Sequence, residues 1–282
     1  MRVLFVASEC APLVKTGGLA DVIGALAPAL RPLDIGVRIL LPGYPAVMAA
    51  LDPRPEREPF GDGAALVTGT AAGLDLIVLD DPALYDRPGN PYLGPDGLDW
   101  PDNHRRFGAL SRAAARVAAR GASGWRPDLV HAHDWQAGMA PLMIRQAGAA
   151  VPCVLAVHNI AFQGLFPPQV IGELGLPPGE FRADGYEYWG RVGFLKAGLV
   201  NADWITTVSP TYARELAWPE YGRGLEGVIA SRRDRLTGIL NGIDEDVWDP
   251  VTDHHLAQPY GPRNLNSKRA NRRKLIERYR LA

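Results

Sequence analysis

Lys15-Thr16-Gly17-Gly18-Leu19-Ala20-Asp21-Val22 puts a full positive charge two residues ahead of paired glycines. Glycines let a ligand approach the backbone closely. Where such a loop opens a helix, free amides and the helix dipole attract a phosphate. The spacing is neither a Walker loop nor a GxGxxG dinucleotide fingerprint. A plain strand-to-helix turn is the bland reading of the same glycines. Lysine is scarce here: four of the 30 basic residues are lysines, and Lys15 is one of them.

Three further polar clusters follow. His131-Ala132-His133-Asp134-Trp135 carries two imidazoles on one face of a strand. No third ligand follows at helical spacing, so no metal is expected. Asp134 suits a helix N-cap, or a carboxylate that binds sugar hydroxyls or polarises an acceptor. His158-Asn159 pairs two side chains that both donate and accept, which suits a polyhydroxylated ligand, although a lone structural histidine is the ordinary alternative. Asn241-Gly242-Ile243-Asp244, taken alone, is a turn signal. No nucleophile elbow, HExxH or CxxC pair is present.

These clusters need elements to hold them. Short apolar runs alternate with helical patterns, the signature of an α/β, doubly wound, mostly parallel sheet. Strands are expected over residues 2–7, 37–41, 65–70, 74–80, 128–131, 153–157, 204–208 and 236–240. Helices are expected over 19–30, 103–120, 135–146, 188–200, 211–217 and 268–280. Residues 85–102 read as a long loop, and 161–184 as mostly irregular. Every polar cluster then falls at the carboxyl end of a strand, where ligands of such sheets bind. Residues 1–243 form the expected domain, and 244–282 a connector with a basic helix.

Composition is that of an ordinary globular chain, with 47% hydrophobic and 22% charged residues. A net charge of -1 gives no electrostatic case for nucleic acid or an anionic membrane. No apolar run approaches the roughly 20 residues of a membrane span, and the first residues do not read as a signal peptide. Cys10 and Cys153 make neither a metal spacing nor a disulfide framework. The expected compartment is the cytoplasm.

Glu9, the Lys15–Val22 run, Tyr85-Asp86-Arg87-Pro88-Gly89, His131–Trp135, Val157-His158-Asn159, Phe194-Leu195-Lys196-Ala197-Gly198, Val208–Ala213 and Asn241–Asp244 occur in an order that resembles bacterial glycogen synthases and plant starch synthases. The resemblance implies the N-terminal half of a glycosyltransferase with two Rossmann-like domains. It implies retaining transfer of glucose from ADP-glucose to the non-reducing end of an α-1,4-glucan, without metal or cofactor. Asp134 and His158 become the catalytic candidates. Lys15, Gly17, Gly18, Asn241, Tyr92, Asn159, Glu9 and Asp21 become the substrate-binding candidates. Lys15 and the two glycines would lie by the donor's phosphates or sugar, and Tyr92 close to the nucleotide. His158 and Asn241 would contact the transferred glucose. The family's second domain, a further expected partner, would have to follow residue 282, so the chain alone is expected to turn over little. A non-catalytic glucan-binding or regulatory module, and a transferase using UDP-glucose, are the competing readings.

Overall fold

The computed structural model describes residues 1–52 and 55–281. It divides into two units, Met1–Asn241 and Gly242–Ala282. The strands are β1 Arg2–Val6, β2 Gly36–Pro42, β3 Glu56–Gly61, β4 Ala64–Ala71, β5 Leu74–Asp80, β6 Leu129–His133, β7 Cys153–Val157, β8 Leu165–Phe166, β9 Glu187–Tyr188, β10 Arg191–Gly193, β11 Trp204–Thr207 and β12 Leu236–Gly238. The α-helices of the first unit are α1 Gly18–Ala29, α2 Pro45–Ala50, α3 Pro82–Tyr85, α4 Asn103–Arg120, α5 Ala140–Gln146, α6 Val170–Leu174, α7 Phe194–Asn201, α8 Pro210–Glu215, α9 Pro219–Gly222 and α10 Glu226–Ser231. The second unit holds turns and the basic helix α11, Lys268–Tyr279.

Among the described residues, nine strands make the main sheet, in the order β12-β11-β7-β6-β1-β2-β5-β4-β3. From β12 to β5 every pairing is parallel; β4 and β3 add antiparallel edges. A parallel strand covered by helices is buried on both faces, so it reads as a continuous apolar run. Val3, Leu4, Phe5 and Val6 of β1 do so, each at most 4% exposed. The core continues through Ile39, Leu40 and Leu41 of β2 and the inner face of α4, including Phe107, Leu110 and Val117. That helix ends at Gly121, whose φ of 78° lies where a side chain is disfavoured. Helix α8 starts as its residues dictate: Pro210 opens it, and Ser209 accepts from the Tyr212 amide at 2.9 Å.

Several local expectations are corrected. The helix expected from residue 188 begins at Phe194, because Trp189 and Gly190 both adopt positive φ and turn the chain into the hairpin β9–β10. That hairpin and β8 form a second, three-stranded sheet, β8-β10-β9. The helix expected over 135–146 is split by a close approach at Gly138, where a Cβ would lie 2.4 Å from the Phe194 carbonyl oxygen. Strand β6 runs two residues beyond His131, pairing His133 with Ala156. Strand β3 and helix α2 were not foreseen. Both cysteines are buried and unpaired. Among the described residues, no helix is long and apolar enough to cross a membrane.

Candidate functional site

Strand order fixes where a site can form. After β1 the chain moves to β2 and β5 on one side, then returns to place β6 on the other and continues to β7, β11 and β12. The connections leaving β1 and β6 therefore diverge, and a crevice opens between their carboxyl ends. The Glu9–Gly18 loop leaves β1, Asp134 leaves β6, and His158 and Asn159 leave β7.

Glu9 organises the first loop. It is 3% exposed. Its carboxylate accepts from the Thr16 amide, from Thr16 Oγ1 at 2.6 Å, from the Gly17 amide at 3.1 Å and from the Tyr92 hydroxyl. This corrects the expectation that the Gly17 amide is free for a phosphate: a buried carboxylate must have donors, and this loop provides them. Helix α1 itself has no side-chain cap, so its first-turn amides, from Gly18 onward, remain the anion-attracting end. Among the described residues, a Cβ on Gly17 or Gly18 would meet no atom within 4 Å beyond its chain neighbours and, for Gly18, its own helix backbone. Packing inside the protein does not demand these glycines. Lys15 Nζ is paired with Asp21 at 2.7 Å, both side chains more than half exposed. Exposed pairs of this kind are worth no more than about 1 kcal/mol, so the ammonium is readily redirected to a more strongly charged partner.

Asp134 organises the other wall. It is 9% exposed, and its φ of 54° with ψ of -168° is a backbone region that strongly favours glycine. Its side chain does not cap the 3₁₀ turn that follows, which corrects the N-cap reading. Instead Oδ1 accepts from the His158 amide at 2.7 Å and the Asn159 amide at 3.4 Å. Burial pushes its carboxyl up to about 7; the two amides oppose the shift, and the Glu9 charge adds to it.

Behind His158 stands a stack of imidazoles. The His131 and His133 rings are 4.2 Å apart, and His133 Nδ1 lies 3.1 Å from His158 Nε2. Burial lowers His131 and His158 to about 4 and His133 well below its ordinary value, so all three are neutral near pH 7. His133 Nε2 is buried without a partner among the described residues. A buried N–H without an acceptor forfeits its full desolvation, whereas a bare lone pair costs less. The hydrogen-bond network therefore assigns the His133 proton to Nδ1, donated to His158 Nε2. The His158 proton is then on Nδ1.

Tyr92 is half-buried, with its hydroxyl 2.8 Å from Ser8 Oγ and bonded to Glu9. It braces the first loop from behind. Buried Arg106 secures the Tyr92 segment by donating to the carbonyls of Leu84 at 2.9 Å and Pro91 at 2.7 Å. Asn159 is exposed, its Oδ1 accepting from the Ala161 amide. Asn241 shares the carboxyl rim but leaves β12, three strands from β6, in exposed chain. The structure thus joins Glu9, Gly17 and Tyr92 in one network and Asp134, His158 and Asn159 in a second, with Lys15–Asp21 a separate exposed pair; it leaves Asn241 outside all three.

The sequence reading missed His133, Arg106 and Gly164 as supports. Arg106 had a signal: it occupies the apolar phase of α4, four residues before Leu110. Gly164 had none; its φ is 60° and a Cβ would lie 2.2 Å from the Trp135 ring. In the second unit, half-buried Asp253 and exposed His254 and His255 offer ligand atoms within 4.8 Å of one another.

Residues 2–231 match the family model described as the starch synthase catalytic domain. A glycogen synthase of Roseobacter denitrificans is 54% identical across all of this chain, which covers 60% of that protein. One from Acidiphilium cryptum is 55% identical over the same shares. The solved catalytic domain of starch synthase IV from Arabidopsis thaliana, bound to ADP and acarbose, superposes with a TM-score of 0.77 at 30% identity. That alignment covers 98% of this chain and 58% of the plant domain. The chain thus spans about 60% of the length of the curated relatives it matches.

Proposed function

The chain belongs to the starch synthase catalytic domain family, and from that premise we propose that it forms one wall of a retaining glucosyltransferase site. In this reading the donor is ADP-glucose and the acceptor is the non-reducing end of an α-1,4-glucan. One observation supports it: the uncapped start of α1 and the buried Asp134 carboxyl, which accepts from the His158 amide, both follow the carboxyl ends of the adjacent strands β1 and β6 at the switch point. The ADP and acarbose held by the plant relative supply matching ligand classes.

The bond from the glucose C1 to the β-phosphate oxygen breaks, and negative charge grows on the leaving diphosphate. Lys15, released from Asp21, and the first-turn amides of α1 stabilise that charge. The acceptor hydroxyl attacks C1 from the same face, and its proton passes to the departing phosphate oxygen. His158, neutral and carrying its proton on Nδ1, donates to a sugar hydroxyl. Asp134 holds the His158 amide in register and presents its second oxygen to the crevice. Asn159 and Asn241 offer amide groups to the sugar from the same rim.

Both walls of such a cleft position the reactants, and positioning supplies much of the rate. The 282-residue chain alone should therefore incorporate glucose into glycogen at under about 1% of a full-length relative's rate. It should still bind ADP. The test is titration of the chain with ADP and ADP-glucose by calorimetry, beside the Gly17→Ala and Gly18→Ala variants. Weaker binding in both, with melting unchanged, is expected. ADP binding unaffected by either substitution would overturn the reading.

A further inference from the structure

The hairpin β9–β10 turns through two residues, Trp189 and Gly190, with φ of 49° and 78°. Two positive φ values in a two-residue loop select Asn-Gly or Asp-Gly, whose side chains tolerate the left-handed region. A tryptophan there is disfavoured by its backbone, and it is also 83% exposed. Neither folding nor solubility accounts for it, and a strained residue of this kind points to a function.

The turn is firmly anchored. Buried Lys196 donates to the carbonyls of Ala183 and Glu187. The Tyr188 hydroxyl donates to the Arg223 carbonyl at 2.6 Å. Beside the turn lies a groove of about 650 Å³, lined by Trp189, Tyr188, Asp184, Glu187, Ser231 and Arg232 among others. A flat ring next to carboxylates and a hydroxyl is the chemistry of sugar recognition: the ring covers the apolar face of a pyranose while the oxygens accept from its hydroxyls. The small sheet that carries the turn packs against a residue next to the candidate site: strand β8, paired to β10, carries Phe166, whose ring lies 5.9 Å from Trp135, the residue after Asp134.

We propose that this groove is an outer binding site for an α-1,4-glucan chain, with Trp189 as its stacking platform. The choice of glucan rests on the acceptor proposed above. The groove grips chain remote from the reacting end, so it raises acceptor affinity without touching the transferred glucose.

The experiment is calorimetric titration of the chain with maltoheptaose, together with its mobility in gels containing glycogen. Trp189→Asn should weaken maltoheptaose binding about tenfold and abolish retardation by glycogen, while Trp189→Tyr keeps most of both. Trp189→Asn should melt at the same temperature or higher, because Asn suits the turn, so lost binding cannot be ascribed to unfolding. ADP binding should be unchanged. Maltoheptaose binding equal in Trp189→Asn and wild type, or absent from wild type, would overturn the groove. Failure of the transferase reading is distinguished by the ADP titration, which does not involve these residues.

Discussion

Asp134 holds a backbone conformation that costs an ordinary residue on the order of 1–3 kcal/mol. Its side chain recovers part of that through the His158 and Asn159 amides. Asp134→Gly removes both the strain and the hydrogen bonds, which are worth about 1 kcal/mol each. Its denaturant midpoint should therefore stay close to wild type, while Asp134→Gly in the completed enzyme should lose transfer. A collapse of stability instead would make Asp134 a structural residue. The neighbouring imidazoles set the pH response. Their folded pKa values lie below the ordinary 6.5, near 4 for His131 and His158, so the unfolded chain binds more protons across that window. Stability is then fully present above pH 6.5 and is lost as pH falls toward 4. Asp134 acts oppositely: raised from 3.8 to about 7, it loses its contribution as pH rises through that range. Three imidazoles outweigh one carboxyl, so the melting temperature should fall as pH drops below 6.5. Melting curves across that range test this, and His133→Gln should flatten the slope.

At the scale of elements, the glycines separate into those the fold requires and those it does not. A Cβ on Gly164 would collide with Trp135, which Phe107, Phe166 and Phe194 enclose, and the backbone there has positive φ. Gly164→Ala should destabilise the chain by about 2 kcal/mol or more, read as a lower melting temperature. Gly17 and Gly18, with open space around them, should accept alanine without that penalty. Equal destabilisation at all three positions would show that the β1–α1 loop is packed against protein after all. The helix expected at 188–200 shows the limit of pattern reading. Val192, Leu195 and Leu199 have helical spacing, but the Trp189-Gly190 turn belongs to the small sheet, whose partner strand lies more than 20 residues earlier.

Across the whole molecule, the parallel order from β12 to β5 puts all the polar clusters on one carboxyl rim, and the reversal at β1 decides which of them face each other. Glu9 and Asp134 follow adjacent strands, and the Glu9 charge adds to the rise that burial imposes on the Asp134 carboxyl. Asn241 lies beyond β7 and β11, roughly 14 Å across the sheet from the β6 line at about 4.8 Å per strand. In the transferase reading Asn241 reaches the sugar from that outer position. Asn241→Ala should raise the acceptor or donor KM in the full enzyme while leaving the folding of the chain unchanged.

The residues themselves determined the alternation of strands and helices, the carboxyl-end location of each polar cluster and the kinship those clusters carry, because apolar periodicity and short motifs are local properties. Only the tertiary structure decided that Glu9 occupies the Gly17 amide, that His133 fixes the proton on His158, and that a tryptophan occupies a left-handed turn beside a groove. None of these follows from a local pattern: Glu9 reaches eight residues ahead in its own loop, His133 and His158 are 25 residues apart, and a buried polar group takes whichever partner packing brings within reach.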